Sequence, residues 1–249
     1  LASWLTFLPG IGATSSRSDC NAMDYEIELN KANRLKIAQA FRGNKRVDFS
    51  IECAVEGQLG RGYVDDPSRP GPYCIRVGPF GYFAGDAGSA AARDLMASFP
   101  AYHLLMPSPA AWLELAQEIF GEHLVSFPRY SFSSAQLSAE HLGDLLAGSR
   151  FRDRVMPISL ELATQAASQP ESFLDLSDFD SAADFVQRGL GYAVMDGDKL
   201  AAAAYSSLVC SQGIEVSVYV VERYRQRGVA TALCSRLLLD CLALGLRPN

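Results

Sequence analysis

A β-branched strand, a short basic loop and an apolar-striped helix follow one another near the end of this chain. That junction restricts the fold more than any other segment. Gly213 to Val221 alternates, with Val216, Val218 and Val220 on one face and Ser217 and Tyr219 on the other. Arg225-Gln226-Arg227-Gly228-Val229-Ala230-Thr231 comes next. A helix is then expected from about Val229 to Leu244, because Val229, Leu233, Leu237, Cys241 and Leu244 form one apolar stripe. Gly245 is the expected C-cap, and Pro248 follows.

A strand that passes through a glycine-containing loop into a helix is an anion site by construction. The first-turn N–H groups have no intrahelical partner, and the helix dipole adds to their attraction for phosphate. Gly228 allows close backbone approach and Ala230 is small enough for the same purpose. Arg225 and Arg227 add positive charge at the loop's mouth, so a diphosphate is the natural ligand. The bland alternative is a plain strand-to-helix turn with solvated arginines. Two other phosphate loops do not fit. The P-loop's Gly-Lys-Ser/Thr is missing, and the dinucleotide fingerprint needs three glycines where this loop has one.

Composition narrows the class. The 249 residues are 49% apolar and 20% charged, with a net charge of -6, which argues against a general nucleic-acid binder. No apolar run reaches the roughly 18 residues of a membrane span. Six cysteines, at 20, 53, 74, 210, 234 and 241, are scattered with no CxxC pair, which points to a reduced, cytoplasmic protein. His103, His123 and His141 have no neighbours at ligand spacing, so no metal is expected. Ser89 and Ser108 lack the G-x-S-x-G context of a hydrolase nucleophile. Gly85-Asp86-Ala87-Gly88-Ser89 and Asp65-Asp66-Pro67 read as surface turns.

Leu1 to Ser16 is mildly apolar but lacks a basic n-region and is interrupted by Pro9 and Gly10, so residues 1–22 read as a leader or non-native extension before Met23. Residues 23–135 read as an α/β domain. Its expected helices are Ala32–Phe41, Ala87–Ser98 and Pro109–Phe120, the last with Ser108 as N-cap and Pro109 at N1. Its expected strands are Leu59–Val64, Tyr73–Val77, Tyr82–Ala84, His103–Met106 and Leu124–Phe132. Ser133–Ser149 is polar and rich in small residues, and the domain boundary is placed there. Residues 136–249 form the second domain. A strand at Arg154–Ile158 and helices at Leu160–Ala167 and Ala182–Arg188 come first. Strands Leu190–Met195 and Leu200–Ser206 follow, joined by Asp196-Gly197-Asp198-Lys199, a strong hairpin signal. Cys234 and Cys241 read as core.

The loop at 225–230 resembles the acetyl-CoA loop of the GNAT acetyltransferases: Arg or Gln, two residues, Gly, one residue, then Gly or Ala. Tyr219-Val220 and Tyr224 stand where that family has its tyrosine–valine and tyrosine positions. Gly62-Tyr63-Val64-Asp65-Asp66, Phe83-Ala84-Gly85-Asp86, Gly213-Ile214-Glu215-Val216 and Cys241-Leu242-Ala243-Leu244-Gly245-Leu246-Arg247-Pro248 are similar to a bacterial GNAT subfamily that includes the zwittermicin A resistance protein. On that basis the resemblance covers nearly all of Met23 to Asn249.

The resemblance implies an α+β (mixed α/β) protein. A GNAT-like acyl-CoA N-acyltransferase fold occupies the C-terminal half, beside a smaller α/β N-terminal half. It implies acetyl-CoA as co-substrate, without a metal. The backbone of Val218 and Val220 would hold the pantetheine arm. Arg225, Gln226, Arg227, Gly228, Val229, Ala230 and Thr231 would hold the diphosphate, chiefly through N–H groups from Gln226 to Thr231. A substrate amine then attacks the thioester directly, helped by a base, and Glu215 is the nearest carboxylate. Many members carry that glutamate one position earlier, where this chain has Ile214 on the opposite strand face. The family continues with another strand and helix, often supplying a tyrosine general acid. This sequence stops after its last helix and is expected to lack them, together with the neighbour that splays from the 213–221 strand. The implied acceptor is a small-molecule amine, such as an aminated antibiotic or metabolite, with no nucleic-acid or membrane partner and a homodimer left open. A catalytically silent GNAT-like module that binds acyl-CoA or a protein partner is the alternative. A non-CoA anion-binding protein is a third reading.

Overall fold

The structure, a computed structural model, describes residues 2–7, 25–106, 108–129, 134–169 and 172–249. It divides into two compact units, Leu1–Ser131 and Phe132–Asn249.

The first unit is built on a seven-stranded sheet. In chain order its elements are strands β1 (Ala2–Phe7) and β2 (Tyr25–Ile27), helices α1 (Lys31–Ala40) and α2 (Ser50–Glu56), strands β3 (Arg61–Val64), β4 (Tyr73–Val77) and β5 (Phe80–Ala84), helix α3 (Ala90–Ala97), strand β6 (Leu104–Met106), helix α4 (Ala110–Phe120) and strand β7 (Leu124–Arg129). The sheet order is β2-β3-β4-β5-β6-β1-β7, with only the β5–β6 pair parallel. Residues 2–7 of the expected leader form β1, which is paired with both β6 and β7. Residues 8–22 of that segment lie outside the described residues.

The apolar faces of α3 and α4 meet the sheet in a core that includes Phe83, Leu95, Phe99, Leu105 and Trp112. Trp112 and Phe99 both pack against the Phe83 ring, with centroids 5.0 and 5.5 Å away. Two local expectations change here. The 87–98 helix begins only at Ala90, because Ser89 is its cap and its Oγ accepts from the Ala92 N–H at 3.0 Å. Asp86 Oδ1 meanwhile accepts from the Gly88 N–H at 2.9 Å, which makes 85–89 a self-satisfied turn. Ser108 does not cap α4. Its Oγ accepts from the Lys45 N–H at 3.0 Å, Pro109 takes the N-cap position, and no side chain caps that helix.

The second unit starts with a helix that was expected to be a connection. Ser133–Ser149 contains α5 (Ala139–Ala147), capped by Ser138, whose Oγ accepts from the His141 N–H. Then come β8 (Met156–Pro157), α6 (Leu160–Ala167), α7 (Ala182–Arg188), β9 (Gly191–Asp196), β10 (Lys199–Cys210), β11 (Gly213–Val220), α8 (Val229–Ala243) and β12 (Arg247–Pro248). The sheet order is β12-β11-β10-β9-β8, and only β11–β12 is parallel. Gly197-Asp198 turns the β9–β10 hairpin, with Lys199 opposite Asp196 and Gly197 at φ 61°.

β10 is central and reads Ala201-Ala202-Ala203-Ala204, all fully buried. Small side chains on both faces let a helical layer close over each. Ala202 and Ala204 face α5 and α8 with Val194, Ile214, Leu233 and Leu237. Ala203 and Tyr205 face α6 and α7 with Ile158, Ala163, Phe179 and Phe185. Val229, Leu233, Leu237 and Cys241 are buried as the stripe required, but Leu244 is 62% exposed, because it is the C-cap and lies beyond the last turn. Tyr192 of β9 donates its hydroxyl to the Asp240 carboxylate on α8, and Arg236 Nε donates to the same tyrosine oxygen at 3.3 Å.

Gly245, in the left-handed conformation at φ 69°, reverses the chain after α8, and the Leu246 N–H returns to the Cys241 carbonyl at 2.9 Å. This turn brings Arg247–Pro248 alongside β11. The last helix is therefore followed by a short strand that pairs with β11.

Candidate functional site

The site is built on β11, its exit loop and the start of α8. β11 pairs with β10 along its length, but with β12 only at Gly213 and Ile214. Asn249 extends that contact: its N–H donates to the Ile214 carbonyl at 3.0 Å, and its carbonyl accepts from the Val216 N–H at 2.9 Å. Ile214 and Val216 thus turn their backbone groups away from β10. Strand alternation turns those of Val218 and Val220 the same way. Among the described residues no strand pairs with β11 beside them. The Val221 N–H points back, donating to the Ala201 carbonyl at 3.0 Å.

That open edge leads into the loop. A 3-10 turn at Glu222–Tyr224 is closed by the Arg225 N–H on the Glu222 carbonyl at 3.0 Å. Tyr224 packs edge-on to Phe151, 6.3 Å between centroids, and anchors the turn. Arg223 pairs with the Asp196 carboxylate. Gln226 and Gly228 both have positive φ, 57° and 83°. Gly228 is the N-cap of α8, with no side-chain cap and no acidic residue in the first turn. By contrast α1, α3, α5, α6 and α7 each begin with an Asn or Ser side chain that accepts an N–H. The first intrahelical bond in α8 runs from the Ala232 N–H to the Gly228 carbonyl at 3.1 Å. The N–H groups of Val229, Ala230 and Thr231 therefore have no helical acceptor. A Cβ on Gly228 would meet nothing within 4 Å, so the space over the helix start is open.

The predicted loop residues divide by what each can offer. Arg227 is exposed at the loop's tip. The Val229 side chain is buried under the sheet, so only its N–H faces outward. Arg225 is not simply a charge at the mouth: its Nε donates to the Val220 carbonyl at 3.0 Å.

Glu215 and Ile214 face opposite sides of the sheet. Ile214 is fully buried under α8, so a carboxylate at that position would lie in an apolar core. Glu215 is partly exposed, and its Oε2 accepts from Asn249 Nδ2 at 2.9 Å. Residues two and four further along, Ser217 and Tyr219, share its face. Tyr219 stacks on Phe173 with centroids 3.9 Å apart. Phe173 belongs to the segment joining α6 to α7, and that segment is tied down again where the Asp175 N–H donates to Tyr205 Oη at 3.1 Å. Burial raises the Tyr205 phenol above its ordinary value. A cavity of about 530 Å³ is lined by residues of this segment, among them Leu174, Asp175, Phe179 and Asp180.

Sequence reasoning therefore reaches the edge, the loop and Glu215, and the structure brings them together on one strand and its exit. It misses Phe173, Tyr205 and Asn249. Tyr205 could have been paired with Ser217 by running the β10–β11 register back from their turn, but the irregularity between Ser206 and Leu208 shifts that count by one. Phe173 lies in an irregular segment and carries no periodic signal. Among the described residues no helix is long and apolar enough to cross a membrane, and no group of His, Cys, Asp and Glu could hold a metal ion.

An uncharacterized N-acetyltransferase of Bacillus subtilis, YdfB, is 25% identical over 201 residues, covering 76% of this chain and 74% of that protein. The crystal structure of a GCN5-related N-acetyltransferase-like protein from Streptococcus suis superimposes with a TM-score of 0.73 at 26% identity, covering 88% of each chain. The GNAT acetyltransferase family pattern matches residues 40–249, and the chain belongs to that family.

Proposed function

We propose that this protein is an acetyl-CoA-dependent N-acetyltransferase that modifies the amine of a small molecule. The observation that most supports this reading is the continuity, among the described residues, of two sets of backbone groups that no strand or helix pairs. The open β11 edge at Val218 and Val220 runs directly into the uncapped start of α8. An extended amide-bearing arm ending in a diphosphate matches both, as added strand and as anion.

In this reading Val218 and the N–H of Val220 hold the pantetheine arm. The N–H groups of Gln226 to Thr231 hold the diphosphate, with Arg227 adding charge. When bound, acetyl-CoA supplies a thioester carbonyl open to attack by an amine. A free alkylamine is protonated at neutral pH, since its pKa is near ~10. It must lose that proton before it attacks, and Glu215, partly exposed on β11, would accept it. The Phe173–Tyr219 stack and the α6–α7 segment wall the same face and would shape the acceptor pocket.

One observation favours the second reading, a GNAT-like module that binds acyl-CoA without turnover. The Glu215 carboxylate already accepts from the Asn249 amide at 2.9 Å, so a substrate amine would have to compete for it. Calorimetric titration with acetyl-CoA, followed by a thiol-release assay over a panel of amines, separates the two. Binding with thiol release establishes the enzyme. Binding without release across the panel establishes the module. No binding overturns both.

A further inference from the structure

We infer that Arg225 is a positioning residue whose Nε–H, rather than its charge, sets the loop for its ligand; this rests on the acetyl-CoA reading above. The Arg225 Nε donates to the Val220 carbonyl at 3.0 Å. That carbonyl is the last outward-facing acceptor on the β11 edge. The bond closes a short ring from the strand's end to the loop's beginning. Its other side is held by backbone, the Tyr224 N–H on the Val221 carbonyl at 2.9 Å and the Arg225 N–H on the Glu222 carbonyl at 3.0 Å. Arg225 is thus fixed through both main chain and side chain, immediately before Gln226. Gln226 is a non-glycine residue held in the left-handed region at φ 57°. Such a residue keeps that conformation only where its surroundings enforce it. Releasing the Arg225 side chain lets the loop relax and turns the N–H groups at Gln226 to Gly228 away from a common ligand.

The bond also removes an acceptor. With the Val220 carbonyl taken, the edge offers an incoming arm the Val218 N–H and C=O and the Val220 N–H. The ligand's register along the strand is set by the arginine as well as by the strand.

Side-chain lengths separate this role from simple charge attraction. The amide nitrogen of glutamine lies as many bonds from Cα as Arg Nε does. Arg225→Gln keeps a donor for the Val220 carbonyl and loses the charge. Arg225→Lys keeps the charge, but puts a methylene where Nε was. Arg225→Ala loses both. Arg225 is exposed, so all three variants are expected to melt within a degree or two of the parent, as surface changes do.

The test is the acetyl-CoA dissociation constant of the parent chain and the three variants, by calorimetry at one ionic strength. The Ala and Lys variants are expected to bind about 3- to 10-fold more weakly, the loss of one neutral-acceptor hydrogen bond, and Gln is expected to recover most of that loss. Lys binding like the parent while Gln binds like Ala would overturn the positioning role in favour of charge. Equal affinity in all four proteins would overturn any role for the residue. Absence of binding by the parent chain would overturn the acetyl-CoA reading itself, a result distinct from either.

Discussion

Asn249 holds Glu215 from two directions: its side-chain amide donates to Glu215 Oε2 at 2.9 Å, and its backbone is laddered to Ile214 and Val216 on either side of that glutamate. The carboxylate is thereby fixed between Ile214 and Val216, on the strand that continues to Val218. Replacing Glu215 by Gln keeps the size and the hydrogen-bonding reach but removes the base. We expect kcat to fall by about 100-fold or more, the usual worth of a general base, with acetyl-CoA affinity nearly unchanged. Steady-state kinetics on an accepted amine, paired with calorimetry, checks this. An unchanged kcat would move the base elsewhere.

Gly228 is needed for two separable reasons. Its φ of 83° is one that a β-branched residue reaches only under strain, and its missing Cβ leaves the space over the α8 N-terminus open. Gly228→Val is expected to lose about 1–3 kcal/mol of stability and to bind acetyl-CoA at least tenfold more weakly. Gly228→Asn tolerates the left-handed conformation, so its stability should stay close to the parent's while its affinity still drops. Urea unfolding and calorimetry on both variants separate strain from crowding. Parent-like affinity in Gly228→Asn would mean that the space over the helix start is not used.

Leu233 is fully buried where α8 meets β9, β10 and β11. Truncation to Ala removes three heavy atoms from a packed core and should cost about 2–5 kcal/mol, read from the urea midpoint of the second unit. A loss below ~1 kcal/mol would mean that the helix is not packed on the sheet in this way.

Burial pushes the Cys234 thiol up to about 11 and the Cys241 thiol up to about 12, from an ordinary value of 9.0. The folded chain keeps these protons while the unfolded chain gives them up. Their contribution to stability is complete below about pH 9 and declines as pH rises from there through the folded values. Denaturation midpoints at pH 8 and pH 10.5 should show the fall, and a Cys234→Ala/Cys241→Ala double variant should show less of it. An equal fall in parent and variant would assign the effect to other groups. Both thiols should also resist alkylation at pH 8 until the chain unfolds, since only the thiolate reacts.

Several features were legible from residues alone because the forces that set them act within a few positions. The 196–199 hairpin follows from turn chemistry, as Gly197 at φ 61° bears out. The α8 stripe follows from helical periodicity, and Val229, Leu233, Leu237 and Cys241 are all buried as that periodicity requires. Gly245 was readable as the end of α8 for the same local reason. Helices α6 and α7 appear where spacing places them, each behind a serine cap. The sequence also contains the family's loop pattern, so the GNAT relationship could be read before any coordinates.

Pairing partners are another matter, because they depend on residues far away in the chain. The composition of 133–149 suggested a connection. It becomes helix α5 because Ser138 caps it and α8 offers a face to cover. Ser108 looked like a helix cap until Lys45 arrived to use its hydroxyl. Alternation alone put Val218 and Val220 on one face, but could not say that their backbone groups face an open edge. That follows from β10 taking one side of β11 while, among the described residues, the other side is paired by β12 only at Gly213 and Ile214. Short-range preferences set the local elements and the chemistry of the loop. Tertiary structure decided which backbone groups stay unpaired, what Arg225 holds and which way Glu215 points, because each depends on which distant strand or helix occupies the neighbouring place.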